Sequence, residues 1–519
     1  MANWMNLGDM VRMNASKYPD KTAIADAERR VSFAALEERT NRLANGLLGL
    51  GLRRGDRVAV LMENCHEIVE AYVACAKAGL VIVPVNFRLL GREAQYVVNN
   101  SDARALIVQD EFIPTIDEVR STLGNVERFF CCGAEAAAGY EPYEELVASA
   151  DAVEPGDRVP AADPWVLLYT SGTTGTPKGV LRSHESYAAF YLINPVDFGF
   201  RLDDVCLNVM PLCHVNSTFF SFTFTYIGAT VYLLPARRFD PIEILQIIER
   251  ERITFISLIP THYNILLGVP QEEWKRYDVG SIRKLLCSSA PALGEIKKRI
   301  MGRFEGVELY EAYGSTEAGI VTVSFPHEQL TKAGSIGRES LGTDFIKILD
   351  EEGRELPPGE VGELYSRGPM MFDGYHKLPE KTAESFAGEW FSAGDMARRD
   401  EDGYYYLVDR KHNLIITGGE HVYPSEVEGV IARHPAVLDV AVLGLRHDKW
   451  GEAVNAVVVT RHGFEVSEEE LIGFCRDKMA PYKKPKSVIF IEADEMPRTA
   501  SGKILHRALR ERFEPDRER

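Results

Sequence analysis

The 519-residue chain has only eight cysteines. None of them stands in a Cys-x-x-Cys pair, so neither a disulfide framework nor a cysteine zinc site is supported. The adjacent Cys131 and Cys132 read as small apolar residues near a strand end. No run reaches the ~18 uninterrupted apolar residues of a membrane span. The first twenty residues include Asp9, Arg12 and Lys17 and lack the apolar block of a signal peptide. A cytoplasmic protein without an integral membrane segment is therefore expected. Low-complexity tracts and strict internal repeats are missing as well. Positive charge is in deficit, with a formal net charge of −18, which argues against nucleic acid or an anionic membrane surface as partner.

What is there is the composition of an ordinary globular protein, 45% hydrophobic and 26% charged, in a chain too long for one compact core. From Arg410 onward 18 Lys and Arg balance 18 Asp and Glu, so the whole negative excess lies in the first 409 residues. An anionic ligand must then be held by local cations.

Residues 32–50 carry apolar positions at helical spacing, and Val/Ile-rich runs recur at 58–62, 81–85, 104–108, 166–169, 230–234, 254–259 and 284–287 with helices between them. That alternation predicts an α/β fold with parallel, helix-covered sheets. After Gly334 the texture shifts to shorter polar strands at 345–349, 362–366 and 404–408. The expected architecture is a large N-terminal domain, residues 1–409, of two helix-covered sheets plus a small β-rich subdomain. A small mobile α+β C-terminal domain, residues 410–519, comes after it.

The stretch Tyr169-Thr-Ser-Gly-Thr-Thr-Gly-Thr-Pro-Lys-Gly-Val180 comes directly after a predicted strand. Glycine and hydroxyl residues leave backbone N–H groups open to wrap phosphate oxygens, and Lys178 adds a point charge. Ser171, Thr173 and Thr174 can donate further hydrogen bonds. It is not a Walker A loop, because Gly179 stands where that motif needs a magnesium-binding Ser or Thr.

This loop resembles the phosphate-binding signature of the adenylate-forming superfamily, which includes acyl-CoA synthetases, peptide-synthetase adenylation domains and beetle luciferases. Ala76–Pro84, Tyr313-Gly-Ser-Thr-Glu317, Trp390–Asp395, Asp409-Arg410 and Pro497–Lys503 resemble further motifs of that family, in its order. The resemblance implies ATP as substrate with Mg²⁺, and an acyl group passed to coenzyme A. ATP and AMP would be held by Thr170, Ser171, Gly172, Thr173, Thr174, Gly175 and Lys178. Ser289, Ala290 and Pro291 would take the adenine with Tyr313, and Gly314, Ser315 and Thr316 would face the phosphates. Asp395 would accept from both ribose hydroxyls. Glu317, with Thr173, would anchor Mg²⁺. Lys178, Arg410 and Lys503 would gather charge around the transition state, with Lys503 bridging the acyl carboxylate and the α-phosphate. The hinge would be Arg410 to Asn413, with His412 at the pivot.

By the same resemblance, Arg88, Gly419, Trp450, Tyr482 and Lys484 would grip coenzyme A, with one aromatic for the adenine and cations for the phosphates. His214 would gate the acyl carboxylate. The acyl pocket would be formed by His214, Val215, Ser257, Cys287, Ala312, Gly314 and Gly319. No Asp or Glu lies between Cys213 and Phe220, so an amino-acid ammonium would be buried unpaired there. The expected substrate is a small-molecule carboxylic acid of moderate size and mainly apolar character: medium-chain fatty, alicyclic or aromatic. Asn216, Ser217 and Ser257 leave room for a polar group. Two other readings are an acyl-AMP ligase that loads a carrier protein and a nonenzymatic nucleotide-binding sensor. The sequence neither supports nor excludes a homodimer.

Overall fold

The computed structural model describes residues 5–133, 137–156, 158–170, 177–236, 239–289, 292, 294–418, 420–447, 449–476, 478–498 and 504–514, the His412 side chain excepted. Contacts divide the chain into two compact units, Met1–Phe345 with Ser366–Phe391, and Ile346–Tyr365 with Ser392–Arg519.

The first unit is built on two sheets. The β-branched runs predicted as strands form them, and they are buried because helices cover them. One sheet runs in the order Gly374–Tyr375, Lys178–Ser183, Pro164–Thr170, Val81–Pro84, Arg57–Leu61, Ala103–Gln109, Arg128–Cys132 and Glu141–Pro142. The other runs Arg338–Glu339, Gly319–Ser324, Glu308–Ser315, Lys284–Cys287, Phe255–Leu258, Val205–Asn208, Thr230–Leu233, Thr22–Ala25 and Arg30–Ser32. Pairing from Glu308–Ser315 across to Thr22–Ala25 is parallel, and it turns antiparallel at both edges.

Helices Phe33–Gly49, His66–Ala78, His184–Phe198 and Val215–Ile227 contribute to the same core cluster. Helix Phe33–Gly49 starts where the predicted periodicity starts, its first turn capped by the Ser32 hydroxyl, which accepts from the Ala35 N–H at 3.2 Å. Helix Val215–Ile227 has hardly a polar face, and Phe219, Phe220, Phe222 and Phe224 are all buried. Phe219 stacks on Phe190 with ring centroids 3.8 Å apart, and Phe220 and Phe224 pack on Phe255 of the sheet. Each such ring contributes about 2 to 3 kcal/mol by leaving water, which fixes this helix against one face of the parallel strands.

The second unit holds two smaller sheets. The first has the order Lys347–Leu349, Gly362–Tyr365, Asp395–Arg399, Tyr405–Arg410. In the second, Glu420–Val422, Ile415–Thr417, Gly451–Thr460 and Val437–His447 are neighbours in that order, and Ser487–Phe490 also pairs with Gly451–Thr460. Helices Pro424–Ile431 and Glu468–Phe474 contribute Val427, Ile431 and Leu471 to its core. Among the described residues no helix is long and apolar enough to cross a membrane.

Candidate active site

The predicted phosphate loop joins strands Pro164–Thr170 and Lys178–Ser183, an antiparallel pair in which Thr170 faces Lys178. Ser171, Gly172, Thr173, Thr174 and Gly175 lie outside the described residues. What is described is the mouth of that hairpin. The Lys178 ammonium lies 4.6 Å from the centroid of the Tyr375 ring, a cation–π contact. The neighbouring backbone is tied to the same segment, with His376 N–H donating to the Gly179 carbonyl at 2.8 Å. The Tyr375 hydroxyl donates to Glu317 Oε1 at 2.8 Å. Lys178 and Glu317 thus meet on two sides of one tyrosine.

Glu317 sits in the tight turn between strands Glu308–Ser315 and Gly319–Ser324. The Ser315 hydroxyl accepts from Ala318 N–H at 3.0 Å, and the Glu317 carbonyl accepts from Phe372 N–H at 2.7 Å. A Cβ at Gly314 would collide with the Gly319 carbonyl oxygen, and Gly319 itself has φ +76° with Met370 only 2.6 Å from where a Cβ would stand. Both glycines are therefore required by close approach. This hairpin brings together Tyr313, Gly314, Ser315, Thr316, Glu317 and Gly319, six of the residues singled out in the sequence.

Beneath the turn lies Arg182, fully buried. Its guanidinium donates to the Thr316 carbonyl at 2.6 Å and to the Met370 carbonyl, and lies 5.2 and 4.9 Å from the ring centroids of Tyr187 and Phe219. Burial lowers its pKa, against the opposing pull of tyrosines and of Asp373 and Glu317. Arg182 and Tyr375 were missed in the sequence. An arginine inside the apolar strand Lys178–Ser183 was the available signal for the first; nothing local marked the second.

The segment expected to take the adenine is also partly described. Ser289 adopts φ +68°, the left-handed region that a non-glycine residue rarely enters, and Ala290 and Pro291 lie outside the described residues. Just past them, Ala292 N–H donates to the buried Glu311 carboxylate at 3.2 Å, and Lys297 donates to the other oxygen. Burial raises the Glu311 pKa, with Lys297 acting against it. This pair ties that segment to the strand that carries Tyr313.

His214 precedes helix Val215–Ile227 as its cap residue. Its Nε2 is buried and has no hydrogen-bond partner among the described residues. Burial first, and the Arg88 charge second, bring its pKa down to about 4, so it is neutral at physiological pH. Burial first, and the Arg88 charge second, also lower the pKa of His262, which stacks on Phe239 with centroids 4.3 Å apart; Arg88 donates to the Ala236 carbonyl at 3.0 Å. Next to His214, Asn216 Nδ2 donates to the Ser288 hydroxyl at 2.7 Å and Ser257 donates to Asn216 Oδ1 at 3.1 Å. Val215 and Ala312 are both partly buried and pack against the main core. Cys287, expected in this pocket, instead joins Leu285 and Leu309 in the core on the opposite face of the sheet, because side chains alternate along a strand.

In the second unit, Asp395 and Arg410 are register partners on adjacent strands, Oδ1 to Nε 2.6 Å, an ion pair. Asp409 ties the next segment to this strand: its carboxylate accepts from Arg410 N–H at 2.6 Å, Asn413 Nδ2 at 3.2 Å and Ser425 N–H at 2.8 Å. Trp450 is partly exposed, Lys449 and Lys486 reach 4.6 and 5.9 Å from its ring centroid, and Gly418, at φ +61°, packs beneath it. Tyr482 is also partly exposed, and its neighbour Lys483 pairs with Glu426. The cations beside Trp450 are Lys449 and Lys486, neither of which was singled out in the sequence. Gly419 and Lys503 lie outside the described residues, and Arg88 belongs to the first unit. Among the described residues no group of three or more His, Cys, Asp or Glu could hold a metal ion.

Two helix-covered sheets with a Gly/Thr loop, a Tyr-Gly-Ser-Thr-Glu hairpin and a separate C-terminal α+β body define a nucleotide-binding enzyme architecture. The chain belongs to the AMP-binding enzyme family, whose model matches residues 11–376, while the AMP-binding enzyme C-terminal domain matches 426–503. It is 37% identical over 511 residues to a feruloyl-CoA synthase of an Amycolatopsis species, covering 98% of this chain and 99% of that one. A long-chain-fatty-acid–CoA ligase of Mycobacterium tuberculosis is 34% identical over 516 residues, with 98% of each chain covered. An anthranilate CoA ligase solved with anthranoyl-AMP superposes with a TM-score of 0.90 at 28% identity, over 99% of this chain and 98% of that one. The chain is thus an enzyme of the AMP-forming acid–thiol ligase class.

Proposed function

We propose that the protein converts a moderately sized, mainly apolar carboxylic acid to its acyl-adenylate with ATP, and then passes the acyl group to the thiol of coenzyme A. The observation that carries this reading is the convergence of Lys178 and Glu317 on Tyr375 at the mouth of the phosphate loop. A cation and a hard-oxygen ligand held beside one tyrosine support a site for the ATP tail there.

In the first half-reaction a carboxylate oxygen attacks the α-phosphorus, so the site must offset charge on both partners. Lys178 meets the phosphates, Thr316 the α-phosphate, and Lys503 orients the carboxylate for in-line attack. Mg²⁺, when bound, neutralises phosphate charge. Glu317 suits it, because Mg²⁺ takes one or two carboxylates and shares its remaining sites with phosphates and water. Asp395 receives the ribose, a role supported by its carboxylate being already oriented by Arg410. In the second half-reaction His214 clears the path to the acyl carbonyl. Its neutral imidazole can reorient without stranding a buried charge. Trp450 with its neighbouring lysines, Tyr482, Lys484, Gly419 and Arg88 serve coenzyme A. The segment from Arg410 to Asn413, pinned at one end by Asp409, is the pivot between the two half-reactions.

The test is ATP–pyrophosphate exchange dependent on added acid, followed by transfer to coenzyme A or to a carrier-protein phosphopantetheine. Exchange that leads to acyl-CoA supports the reading; exchange with transfer only to the carrier protein replaces it. Nucleotide binding without exchange would make the protein a sensor.

A further inference from the structure

Four parallel strands, Val205–Asn208, Phe255–Leu258, Lys284–Cys287 and Glu308–Ser315, are consecutive neighbours in their sheet. Cys206, Phe255, Leu286 and Tyr310 share the core that includes Phe219 and Phe220 of helix Val215–Ile227. Side chains two residues further on point to the same face. Those residues are Asn208, Ser257, Ser288 and Ala312. The face that is apolar along the strands thus turns polar at their C-terminal ends, where open α/β sheets bind ligands.

Two members of this row, Ser257 and Ser288, are joined to each other and to Asn216 of helix Val215–Ile227. Ser257 donates to Asn216 Oδ1, Asn216 donates to Ser288, and the two serine hydroxyls lie 3.3 Å apart. Asn208 is different. It is 4% exposed, and its Nδ2 is buried with no hydrogen-bond partner among the described residues. It lines a cavity of about 10 Å³, room for a single oxygen atom, together with Asn216, Ser257, Phe220 and Phe255. A buried amide donor left unmade is costly. A donor kept in a cavity beside a hydrogen-bonded polar row is a recognition element for an acceptor.

We infer that this row reads an oxygen substituent on the acyl group. The acid taken carries a hydroxyl, ether or carbonyl oxygen that accepts from Asn208 Nδ2. This rests on the acyl-pocket reading above, and it adds a specificity determinant, Asn208, that the sequence did not single out.

The test measures kcat/KM on matched acids that differ only by the oxygen: 4-hydroxycinnamate against 4-methylcinnamate, and 7-oxooctanoate against octanoate. Each is assayed for acyl-CoA and, separately, for hydroxylamine-trapped adenylate, which needs no coenzyme A. The oxygenated member of at least one pair is expected to lead by about tenfold or more, since sites built to hydrogen-bond a group reject analogues that lack it. Asn208→Leu should bring that ratio to one or below, and Ser257→Ala, which removes the donor to Asn216, should lower it. An ATP-induced rise in melting temperature reports that each variant is folded. The inference is overturned if the hydrocarbon member leads in both pairs. It is overturned equally if the folded variants keep the wild-type ratio, which would mean that solvent rather than the acyl group satisfies Asn208. Hydroxamate without acyl-CoA would remove the ligase reading while the ratio still decides this one; no product of either kind would remove both.

Discussion

Tyr375 donates its hydroxyl to Glu317 Oε1 at 2.8 Å while its ring lies under the Lys178 ammonium at 4.6 Å. The tyrosine is on the edge strand Gly374–Tyr375, which pairs with the strand that starts at Lys178. Glu317 reaches it from a turn of the other sheet. One side chain therefore sets the spacing between the cation proposed to meet the phosphates and the carboxylate proposed to hold Mg²⁺.

Tyr375→Phe keeps the ring under Lys178 and deletes only the hydrogen bond. A bond to a charged group is worth about 1.5 to 3 kcal/mol, so ATP–pyrophosphate exchange should slow by roughly tenfold or more, with a higher half-saturating Mg²⁺ concentration. The melting temperature should move little. A slower rate with unchanged Mg²⁺ dependence would show that Tyr375 does not act through Glu317.

Arg182→Met removes both donors to the Thr316 and Met370 carbonyls. A buried acceptor left unpaired costs about 1 to 3 kcal/mol, and a total loss of about 2 to 4 kcal/mol is expected in chemical denaturation. Arg182→Lys keeps the charge without the planar fork that spans two carbonyls and should fall between the two. A stability for Arg182→Met equal to wild type would mean that those carbonyls find other partners.

His184 stacks on Trp165 with centroids 5.6 Å apart, neither ring nitrogen has a hydrogen-bond partner among the described residues, and burial brings its pKa down to about 3. Unfolded, the same imidazole titrates near 6.5. Below that pH the unfolded state binds a proton that the folded state refuses, so this residue costs stability progressively as pH falls from 6.5 toward 3. The slope is about 1.4 kcal/mol per pH unit. The unfolding free energy of His184→Phe relative to wild type should therefore rise by about that slope between pH 6 and pH 4. A difference independent of pH would contradict a buried neutral His184.

Much of the fold was legible because its strands are short β-branched runs with helices between them; the run at 284–287 and the strand Lys284–Cys287 coincide. The stretch Tyr313 to Glu317, whose Gly314 is required by the close approach of the Gly319 carbonyl, was legible as a motif through its resemblance to the adenylate-forming family. Arg182 was not, because its partners Thr316 and Met370 are distant in sequence and become neighbours only when the two sheets pack. Asn208 was hidden for a related reason: its face is set by the register with Phe255–Leu258, and its unmet donor shows only once the neighbours are placed. Cys287 went the other way, expected in the pocket from the family resemblance and turned from it by the strand's alternation.

The most direct measurement of the central claim tracks AMP and acyl-CoA together, with ATP, Mg²⁺, coenzyme A and a panel of moderately sized carboxylic acids, in wild type and Lys503→Ala. The account predicts that the two products form one to one with at least one acid and that both collapse in the variant. AMP released without acyl-CoA, or a rate indifferent to Lys503, would contradict it.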